Sequence, residues 1–456
     1  MVTDQTCYLL DPEDLPRSWY NIAADLPGLQ PLLHPGTGEP LTVADLTPIM
    51  PRALAEQELS REREIEIPEP VRAVYARWRP SPLIRAHRLE RELDTPARIY
   101  YKYEGVSPAG SHKPNTAIAQ AHYNREAGTR RLVTETGAGQ WGSALALAGA
   151  LFGLDVRVFM VKVSYHHKPY RRLLMQSYGA QCVPSPSPET KAGAAILAED
   201  PDCPGSLGIA TSEAVEVAAG DPETMYAGGS VLNHVLLHQT VIGQEAMAQL
   251  DLAGERADVV IACAGGGSNL GGLAFPFLRE HLTTGARAPR IVAAEPASCP
   301  TMTAGRLTYD FGDTAQLTPL LRMHTLGHSF VPPPMHAGGL RYHGMAPLVS
   351  ALLERGLAEA VAVPQTACFA AGLRFARAEG IVPAPESTHA IEVAMREALR
   401  CKREGVAETI VFGLSGHGHF DLSAYEAYLA GDLRDDGMDA ERVRAALDRL
   451  PSVPGR

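Results

Sequence analysis

Short apolar segments alternate with helix-like segments along the middle of the chain. The apolar, β-prone runs at 99–103, 132–136 and 156–163 predict strands. Helical periodicity lies between them, at 114–127 and 142–152, and a glycine follows each predicted helix. Because strands that alternate with helices form parallel sheets, the pattern predicts an α/β fold with parallel sheets.

The regions on either side of this block have other patterns. Residues 1–80 are rich in proline and acidic residues and predict an extension with one or two short helices, such as one at 51–61. A second α/β block follows the first, with strands predicted at 259–263, 291–294 and 409–414. The predicted division of the chain is 1–80 for the N-terminal extension, 81–230 for an N-terminal α/β domain with a mobile subdomain, 231–430 for a C-terminal α/β domain and 431–456 for a helical tail.

The segment between the two blocks contains a helix pattern and a proline-rich stretch. Residues 168–176 predict a helix. Residues 184–188, Pro-Ser-Pro-Ser-Pro, predict a stiff linker. The two blocks share an alternating architecture, but no internal sequence repeat connects them.

Composition and charge restrict the classes of partner. The 456 residues are 45% hydrophobic and 20% charged, as in an ordinary soluble protein. The net charge of −11 disfavours nucleic acid or an anionic membrane as a partner. The longest apolar run, 144–154, is too short to span a bilayer. The sequence therefore predicts no nucleic-acid partner and no membrane partner.

Cysteine and histidine positions address redox state and metal binding. The seven cysteines are scattered without a C-x-x-C spacing, and the chain does not start with a signal-peptide pattern. These features predict reduced thiols and a cytoplasmic protein. His417 and His419 have no acidic or cysteine partner at ligand spacing, so no metal site is predicted.

Lys113 lies at the corner between a predicted strand and a predicted helix, in the motif Ser111-His-Lys-Pro-Asn115. Pro114 suits the first helical position, where the free N–H groups of a helix repel a second positive charge and favour the neutral amine. A neutral lysine amine is a nucleophile towards carbonyl groups, as Schiff-base chemistry requires. The alternative is a solvated lysine in a loop.

Three glycine-rich segments follow predicted strands. Residues 264–269, Ala-Gly-Gly-Gly-Ser-Asn, predict a phosphate site, with a nucleotide-binding turn or a purely structural turn as the alternatives. Residues 135–142, Glu-Thr-Gly-Ala-Gly-Gln-Trp-Gly, offer amides to a carboxylate and Glu135 as a general acid or base. Residues 413–418, Gly-Leu-Ser-Gly-His-Gly, offer the Ser415 hydroxyl to a heterocyclic nitrogen. For the last two segments the alternative is an ordinary glycine turn.

Five motifs, taken in chain order, resemble those of the tryptophan synthase β chain. They are Ser-His-Lys-Pro-Asn, Glu-Thr-Gly-Ala-Gly-Gln-Trp-Gly, Gly-Gly-Gly-Ser-Asn, Pro-Ala-Pro-Glu-Ser-Thr-His-Ala and Leu-Ser-Gly-His-Gly. The resemblance covers residues 75–430, and Trp141 with the long extension resembles the second, divergent subtype of the family. It implies a pyridoxal phosphate enzyme of fold type II, with two three-layer α/β domains. The implied reaction is a β-replacement that joins indole to L-serine and gives L-tryptophan and water.

The resemblance implies a role for each residue that matches a family motif. Lys113 binds the cofactor as a Schiff base and moves the Cα proton, and Glu135 assists hydroxide loss and indole attack. The other residues implied to bind the cofactor are His112, Asn115, Gly265, Gly266, Gly267, Ser268, Asn269, Glu386 and Ser415. The residues implied to bind the substrate carboxylate are Thr136, Gly137, Ala138, Gly139 and Gln140.

Two positions differ from the main subtype of the family. Trp141 stands where that subtype has a histidine, beside the indole site. Arg341 stands where it has an aspartate that contacts the serine hydroxyl. An arginine there predicts acceptance of an anionic leaving group, as in O-phosphoserine. The alternative is a structural ion pair of Arg341.

The resemblance also implies a homodimer and raises the question of a monovalent cation. Because the extension and residues 165–220 differ from the main subtype, we expect weak, transient or absent binding of a tryptophan synthase α chain and a stand-alone enzyme for free indole. One alternative function is a serine or threonine deaminase of the same fold and cofactor. The other is a weakly active regulatory or binding subunit.

Overall fold

A computed structural model describes residues 5–435 and 437–453, and residues 1–4, 436 and 454–456 of the predicted extension and tail lie outside the described residues. Seven strands form the large sheet. In order across it they are Cys7–Tyr8, Leu83–Arg85, Arg98–Tyr103, Thr409–Leu414, Val259–Cys263, Arg290–Pro296 and Glu359–Val363. The last five are parallel to one another, whereas the first two add an antiparallel edge that the sequence pattern did not predict.

The strands at the centre of the large sheet have near-continuous apolar sequences because both of their faces are covered. Every residue of Val259–Cys263 and Thr409–Leu414 is buried. In register, Val259 pairs with Ile410, and Val411 pairs with Tyr100 of the next strand. The strands predicted at 99–103, 259–263 and 409–414 are therefore confirmed.

Four parallel strands form the small sheet. In order they are Gln181–Ser185, Asp155–Val161, Arg131–Thr136 and Thr224–Tyr226. The predicted stiff linker at 184–188 is wrong in part, because Pro184 and Ser185 belong to an edge strand. Proline is tolerated there since the outward side of an edge strand has no ladder hydrogen bond to lose. The strand predicted at 156–163 ends at Val161, where a helix begins.

Helices connect the strands of both sheets. Those between residues 80 and 230 are His87–Leu93, Pro114–Glu126, Gln140–Phe152, Lys162–His167, Pro169–Ser177, Lys191–Glu199 and Leu207–Gly220. Those that follow are Asn233–Gln239, Val241–Ala253, Ser268–Thr284, Pro347–Glu354, Gln365–Glu379, Ser387–Glu404, Leu422–Ala430 and Ala440–Leu447. Short 3₁₀ helices lie at Pro12–Asp14, Ile22–Ala24, Glu104–Val106 and Gly338–Leu340, and an antiparallel pair is formed by Arg306–Phe311 and Leu320–Thr325.

The N-terminal segment, residues 5–80, packs against the body of the protein. Its strands Ser18–Tyr20 and Glu64–Glu66 pair antiparallel, although the second shows no clear period in the sequence. Trp19 is completely buried and lies against His238, with ring centroids 4.4 Å apart. Its helices are Val43–Leu46, Arg52–Leu59 and Glu69–Tyr75, so the helix predicted at 51–61 is confirmed with shorter bounds.

The large sheet combines strands from both α/β blocks of the sequence. The strand Arg98–Tyr103, from the first block, pairs with Thr409–Leu414, from the end of the second. The domain boundaries at residues 80, 230 and 430 stay predictions, and helix Ala440–Leu447 supports the helical tail. None of the helices within the described residues is long and apolar enough to cross a membrane.

Candidate active site

A cleft of about 820 Å³ lies where strands of both sheets reach their carboxyl ends, the usual ligand position in open α/β sheets. It brings together His112 and Ser415, which are 303 positions apart in the sequence. The predicted site residues that line the cleft are His112, Lys113, Glu135, Thr136, Gly137, Ala138, Gln140, Trp141, Gly265, Gly266, Gly267, Ser268, Asn269, Glu386 and Ser415.

Lys113 directs its amine into this cleft. Its Nζ donates to the carbonyl oxygen of Gly229 and to Ser268 Oγ, the latter at 3.1 Å. Burial lowers the pKa of Lys113 to about 8, against the opposing effect of the Glu135 charge. The direction agrees with the predicted neutral amine, but the main cause is burial and not the helix end. Pro114 is the first residue of the following helix, as predicted.

Glu135 lies near the carboxyl end of the strand Arg131–Thr136. Burial raises the pKa of Glu135 to about 7, and hydrogen bonds from the Tyr226 hydroxyl and the Gly229 N–H oppose the shift. A carboxyl group that titrates near pH 7 can both donate and accept a proton at neutral pH. The electrostatics of Glu135 therefore support the acid/base role expected from the sequence.

Residues 264–269 form a tight turn at the start of the helix Ser268–Thr284. Gly267, the N-cap, has a φ of +104°, in the left-handed region that favours glycine. A Cβ on Gly265 would lie 2.5 Å from the carbonyl oxygen of Gly339. Asn269 Nδ2 donates to the Cys263 carbonyl at 3.1 Å and fixes the turn. Because this helix end lines the cleft, its free N–H groups can bind an anion.

The carboxylate loop, residues 137–140, follows Glu135 and also ends in a helix. That helix begins at Gln140, two residues before the predicted start, because Gly139 with a φ of +97° is its N-cap. Thr136 Oγ1 accepts from the Gly142 N–H at 3.1 Å. Gln140 Nε2 donates to Glu386 Oε2 at 2.9 Å, and not to an open position in the cleft. The loop is thus fixed by side chains, and backbone N–H groups at the helix start remain for a substrate carboxylate.

The end of the cleft at Ser415 contains neutral polar groups. Ser415 Oγ lies 2.7 Å from Ser387 Oγ, and the Ser415 carbonyl accepts from the His112 backbone N–H at 2.9 Å. Burial lowers the pKa of His112 to about 3, so its imidazole is neutral at physiological pH. A hydroxyl in this environment can hydrogen-bond a ring nitrogen without protonating it.

Trp141 forms one wall of the cleft. Its indole Nε1 donates to Thr134 Oγ1 at 2.6 Å. The indole ring lies directly against Gly229, where an added Cβ would overlap the ring. Since the Gly229 carbonyl accepts from Lys113 Nζ, Trp141 packs behind the contact that holds the lysine.

Asn115 and Gly139 do not line the cleft, although the sequence placed both in the site. Asn115 Nδ2 donates to Gln239 Oε1 at 3.0 Å, and its Oδ1 accepts from Arg79 Nη1 at 2.8 Å. Its side chain therefore belongs to a buried polar cluster behind the cleft. Gly139 faces Arg171, whose Cβ would lie 2.7 Å from an added Cβ.

Arg341 also lies outside the cleft lining. Its guanidinium is buried and donates to the carbonyl oxygens of Pro332 at 2.7 Å and Pro333 at 2.9 Å. Among the described residues it forms no ion pair, so the alternative of a structural ion pair is not found, while its role at the leaving group stays a prediction. The family resemblance predicted the position of Arg341 in the chain but not the direction of its side chain.

The sequence did not predict several residues that line the cleft. They are Gly110, Ser111, Leu207, Gly229, Ser230, Cys263, Gly339, Leu340, Tyr342, Ala384 and Gly416. Gly229 and Ser230 had a usable signal, since Gly-Gly-Ser follows the short strand Thr224–Tyr226. Ser387, the partner of Ser415, directly follows the predicted Glu386.

Sequence relatives identify the family. A model described as pyridoxal-phosphate dependent enzyme matches residues 74–416. Tryptophan synthase beta chain 2 of Thermotoga maritima is 61% identical over 417 residues, covering 91% of this chain and 98% of the relative. The protein of the same name from Methanosarcina acetivorans is 58% identical over 431 residues, covering 94% and 97%. The chain belongs to the tryptophan synthase beta chain family.

The fold has a solved counterpart. The processed form of threonine deaminase isoform 2 from Solanum lycopersicum matches with a TM-score of 0.56 and 19% identity, covering 77% of this chain and 87% of that one. At this identity the likeness shows the fold alone. With the family match, it confirms the predicted α/β architecture of fold type II pyridoxal phosphate enzymes. As a member of this family, the chain is a pyridoxal-phosphate-dependent lyase.

The cleft fits pyridoxal phosphate at three points. The turn at 264–269 leaves no room for a Cβ and offers helix N–H groups to a phosphate. The Lys113 amine can bind the aldehyde, and the neutral Ser415 hydroxyl suits the ring nitrogen. Within the described residues, no group of three or more acidic, histidine or cysteine side chains is placed to hold a metal ion.

Proposed function

We propose that this chain joins indole to the β-carbon of L-serine to give L-tryptophan and water. The observation that carries the proposal is a second cavity of about 690 Å³, the side chamber, which has a mainly apolar lining. It shares Glu135, Leu207, Ser230 and Tyr342 with the cleft. An apolar chamber that meets the cleft at a titratable carboxyl group suits an uncharged aromatic nucleophile that loses a proton from the ring carbon forming the new bond.

Lys113 and Glu135 move the protons of the proposed reaction. Lys113 Nζ removes the Cα proton of the amino acid and later returns one. Glu135 protonates the departing hydroxide at Cβ and then accepts the proton that indole loses. Bound pyridoxal phosphate supplies the electron withdrawal that makes the Cα proton acidic. The pKa values of about 8 for Lys113 and about 7 for Glu135 suit both tasks near neutral pH.

The remaining residues bind and orient. When the cofactor is bound, residues 265–269 would hold its phosphate through N–H groups, and Ser415 would donate to its ring nitrogen. The N–H groups of the carboxylate loop, residues 137–140, hold the substrate carboxylate. Glu386 accepts from the Gly339 N–H and from Gln140 Nε2, both at 2.9 Å, so it joins two segments that line the cleft. This junction favours the exclusion of water, which would otherwise compete with indole.

Product analysis with L-serine, with and without indole, tests the proposal. We expect tryptophan to be the main product at saturating indole. The deaminase alternative predicts pyruvate as the main product under both conditions, and that result would end the proposal. The alternative of a weakly active binding subunit predicts that neither product forms at an enzymatic rate.

We propose L-serine as the donor, in preference to O-phosphoserine, because Arg341 is engaged outside the cleft. Arg341→Met is expected to lower stability by about 1–3 kcal/mol, since two buried carbonyls lose their donor. It should leave the ratio of kcat/KM for serine and O-phosphoserine within about twofold, given that Arg341 does not line the cleft. Urea unfolding and parallel kinetics with both donors measure the two effects. A large change in the donor ratio would place Arg341 at the substrate after all.

Oligomeric state, partners and location also belong to this proposal. We propose a homodimer that works on free indole without needing a tryptophan synthase α chain. A many-fold increase of tryptophan formation on adding α chain would contradict the second part. The seven unpaired cysteines support reduced thiols and a cytoplasmic location. The requirement for a monovalent cation is tested by assays in sodium, potassium and caesium buffers.

A further inference from the structure

Tyr226 lies beside Glu135, although no sequence motif pointed to it. Its strand Thr224–Tyr226 runs parallel to Arg131–Thr136, with Tyr226 opposite Val133. Glu135 is two residues beyond Val133, and residues two apart in a strand project from the same face. Both side chains line the side chamber. The pairing of the two strands therefore brings the phenol and the carboxyl group together.

In this arrangement the Tyr226 hydroxyl acts as a donor towards the Glu135 carboxyl group, since it lowers the pKa of Glu135, and the carboxyl group raises the pKa of Tyr226. We propose that Tyr226 is a positioning residue, which fixes the Glu135 carboxylate for proton transfer at the substrate Cβ. The hydroxyl has little competition from water, because only 8% of Tyr226 is exposed.

The N-terminal segment holds Tyr226 from the other side. The backbone N–H of Tyr226 donates to the carbonyl of Ile49 at 2.8 Å. Ile49 packs against the small-sheet core that contains Val133 and Tyr226, and it lines the side chamber together with Leu46 and Met50. The strand of Tyr226 is only three residues long and lies at the sheet edge, so this added hydrogen bond steadies the position of the phenol.

The groups around Glu135 determine whether its pKa rises or falls in Tyr226→Phe. A hydroxyl that donates to a carboxylate stabilises its charged form and lowers the carboxyl pKa. Lys113 acts in the same direction, whereas burial acts against both and is the larger effect. The other titratable groups that line the cleft or the side chamber are His112, Cys263, Glu386, Glu58 and Tyr342. Since these stay in place in Tyr226→Phe, the loss of the hydroxyl should raise the pKa of Glu135.

Infrared titration of the apoenzyme tests the contact without relying on any activity. The carbonyl band of the protonated Glu135 carboxyl is assigned by its absence in Glu135→Gln. In Tyr226→Phe we expect this band to persist to a pH higher by about one to two units, as for the loss of one hydrogen bond to a charged group. Incorporation of 3-fluorotyrosine at position 226 makes the phenol a stronger donor, so the band should disappear at a lower pH.

Tyr425→Phe is the matched control, because its buried hydroxyl donates to the Pro383 carbonyl at 2.6 Å and not to Glu135. It should leave the carbonyl band unchanged. An unchanged band in Tyr226→Phe, with the fluorotyrosine protein also unchanged, would overturn the inference.

The catalytic meaning of the contact rests on the proposed function. In Tyr226→Phe we expect kcat for tryptophan formation to fall about tenfold, KM for serine to stay within about twofold, and the limb of the pH profile near 7 to move upward. If the infrared band shifts in Tyr226→Phe but the wild-type protein makes no tryptophan, the contact is supported and the proposed function is wrong. If the band does not shift and the wild-type protein makes tryptophan, the proposed function is supported and the contact is wrong.

Discussion

Lys113→Ala is expected to lower the rate of tryptophan formation by about 10⁴-fold or more and to remove the visible absorbance of lysine-bound cofactor. The variant loses both the amine that binds the aldehyde and the group that moves the Cα proton. The substitution removes two hydrogen bonds, which Lys113 Nζ donates to the Gly229 carbonyl and to Ser268 Oγ. Because only these two hydrogen bonds are lost, the cleft should keep its shape. Steady-state kinetics and absorbance spectra of the purified protein measure the two effects.

Lys191→Ala provides the control for the loss of a lysine, because Lys191 is exposed and does not line the cleft. It should retain the spectrum and the rate of the wild-type protein. If Lys113→Ala, folded according to circular dichroism, kept a visible band, Lys113 would not be the attachment site of the cofactor. The roles assigned to the other cleft residues would then have to be derived again from a different attachment site of the cofactor.

Glu135→Gln is expected to lower kcat by about 10²- to 10⁴-fold, the range for loss of one general acid or base. Glutamine keeps the shape of the side chain but cannot exchange a proton. The wild-type rate should show a limb near pH 7, where the buried Glu135 titrates, and the variant should lack it. The sign follows from burial, which disfavours the charged form and moves this titration upward into the working range.

Glu295→Gln is a matched control for the loss of a buried carboxylate. Glu295 accepts from the N–H groups of Met302 and Thr303, both at 2.8 Å, and does not line the cleft. It should lose stability and keep the pH limb near 7. A limb that persists unchanged in Glu135→Gln would assign that titration to another group.

Local sequence patterns predicted the elements that lead into the cleft. Lys113 and residues 264–269 each follow an apolar strand of the large sheet and precede a helix, whereas Glu135 lies near the end of a strand of the small sheet. Because parallel strands bring their carboxyl ends to the same edge of a sheet, the first two corners could be expected to meet. The position of Glu135 beside them depends on how the two sheets pack, for which local patterns contain no signal. The helix at 140–152 began earlier than predicted only because Gly139 is an N-cap in a left-handed conformation.

Features that depend on distant packing could not be predicted in this way. Arg341 was given the right loop, but its side chain turns to the carbonyls of Pro332 and Pro333. Asn115 is one residue from the helix start, yet its amide is taken by Arg79 and Gln239. Tyr226 occupies a strand of three residues with no distinctive pattern. For Asn115 and Tyr226 the decisive partner lies far away in the sequence, so local periodicity contains no signal for it. The partners of Arg341 are only 8 and 9 positions away, but they lie in irregular backbone, where no period tells which way a side chain points.

The pairing of Arg98–Tyr103 with Thr409–Leu414 has a consequence for biosynthesis. At roughly 5 to 20 residues per second, the 311 positions between Arg98 and Thr409 take about 15 to 60 s to translate. During that time the strand Arg98–Tyr103 has only one of its two native neighbours, Leu83–Arg85. Lys113 is therefore made early but acquires Ser415 as a neighbour only when the ribosome has nearly finished, so capture of the cofactor belongs to the last stage of folding.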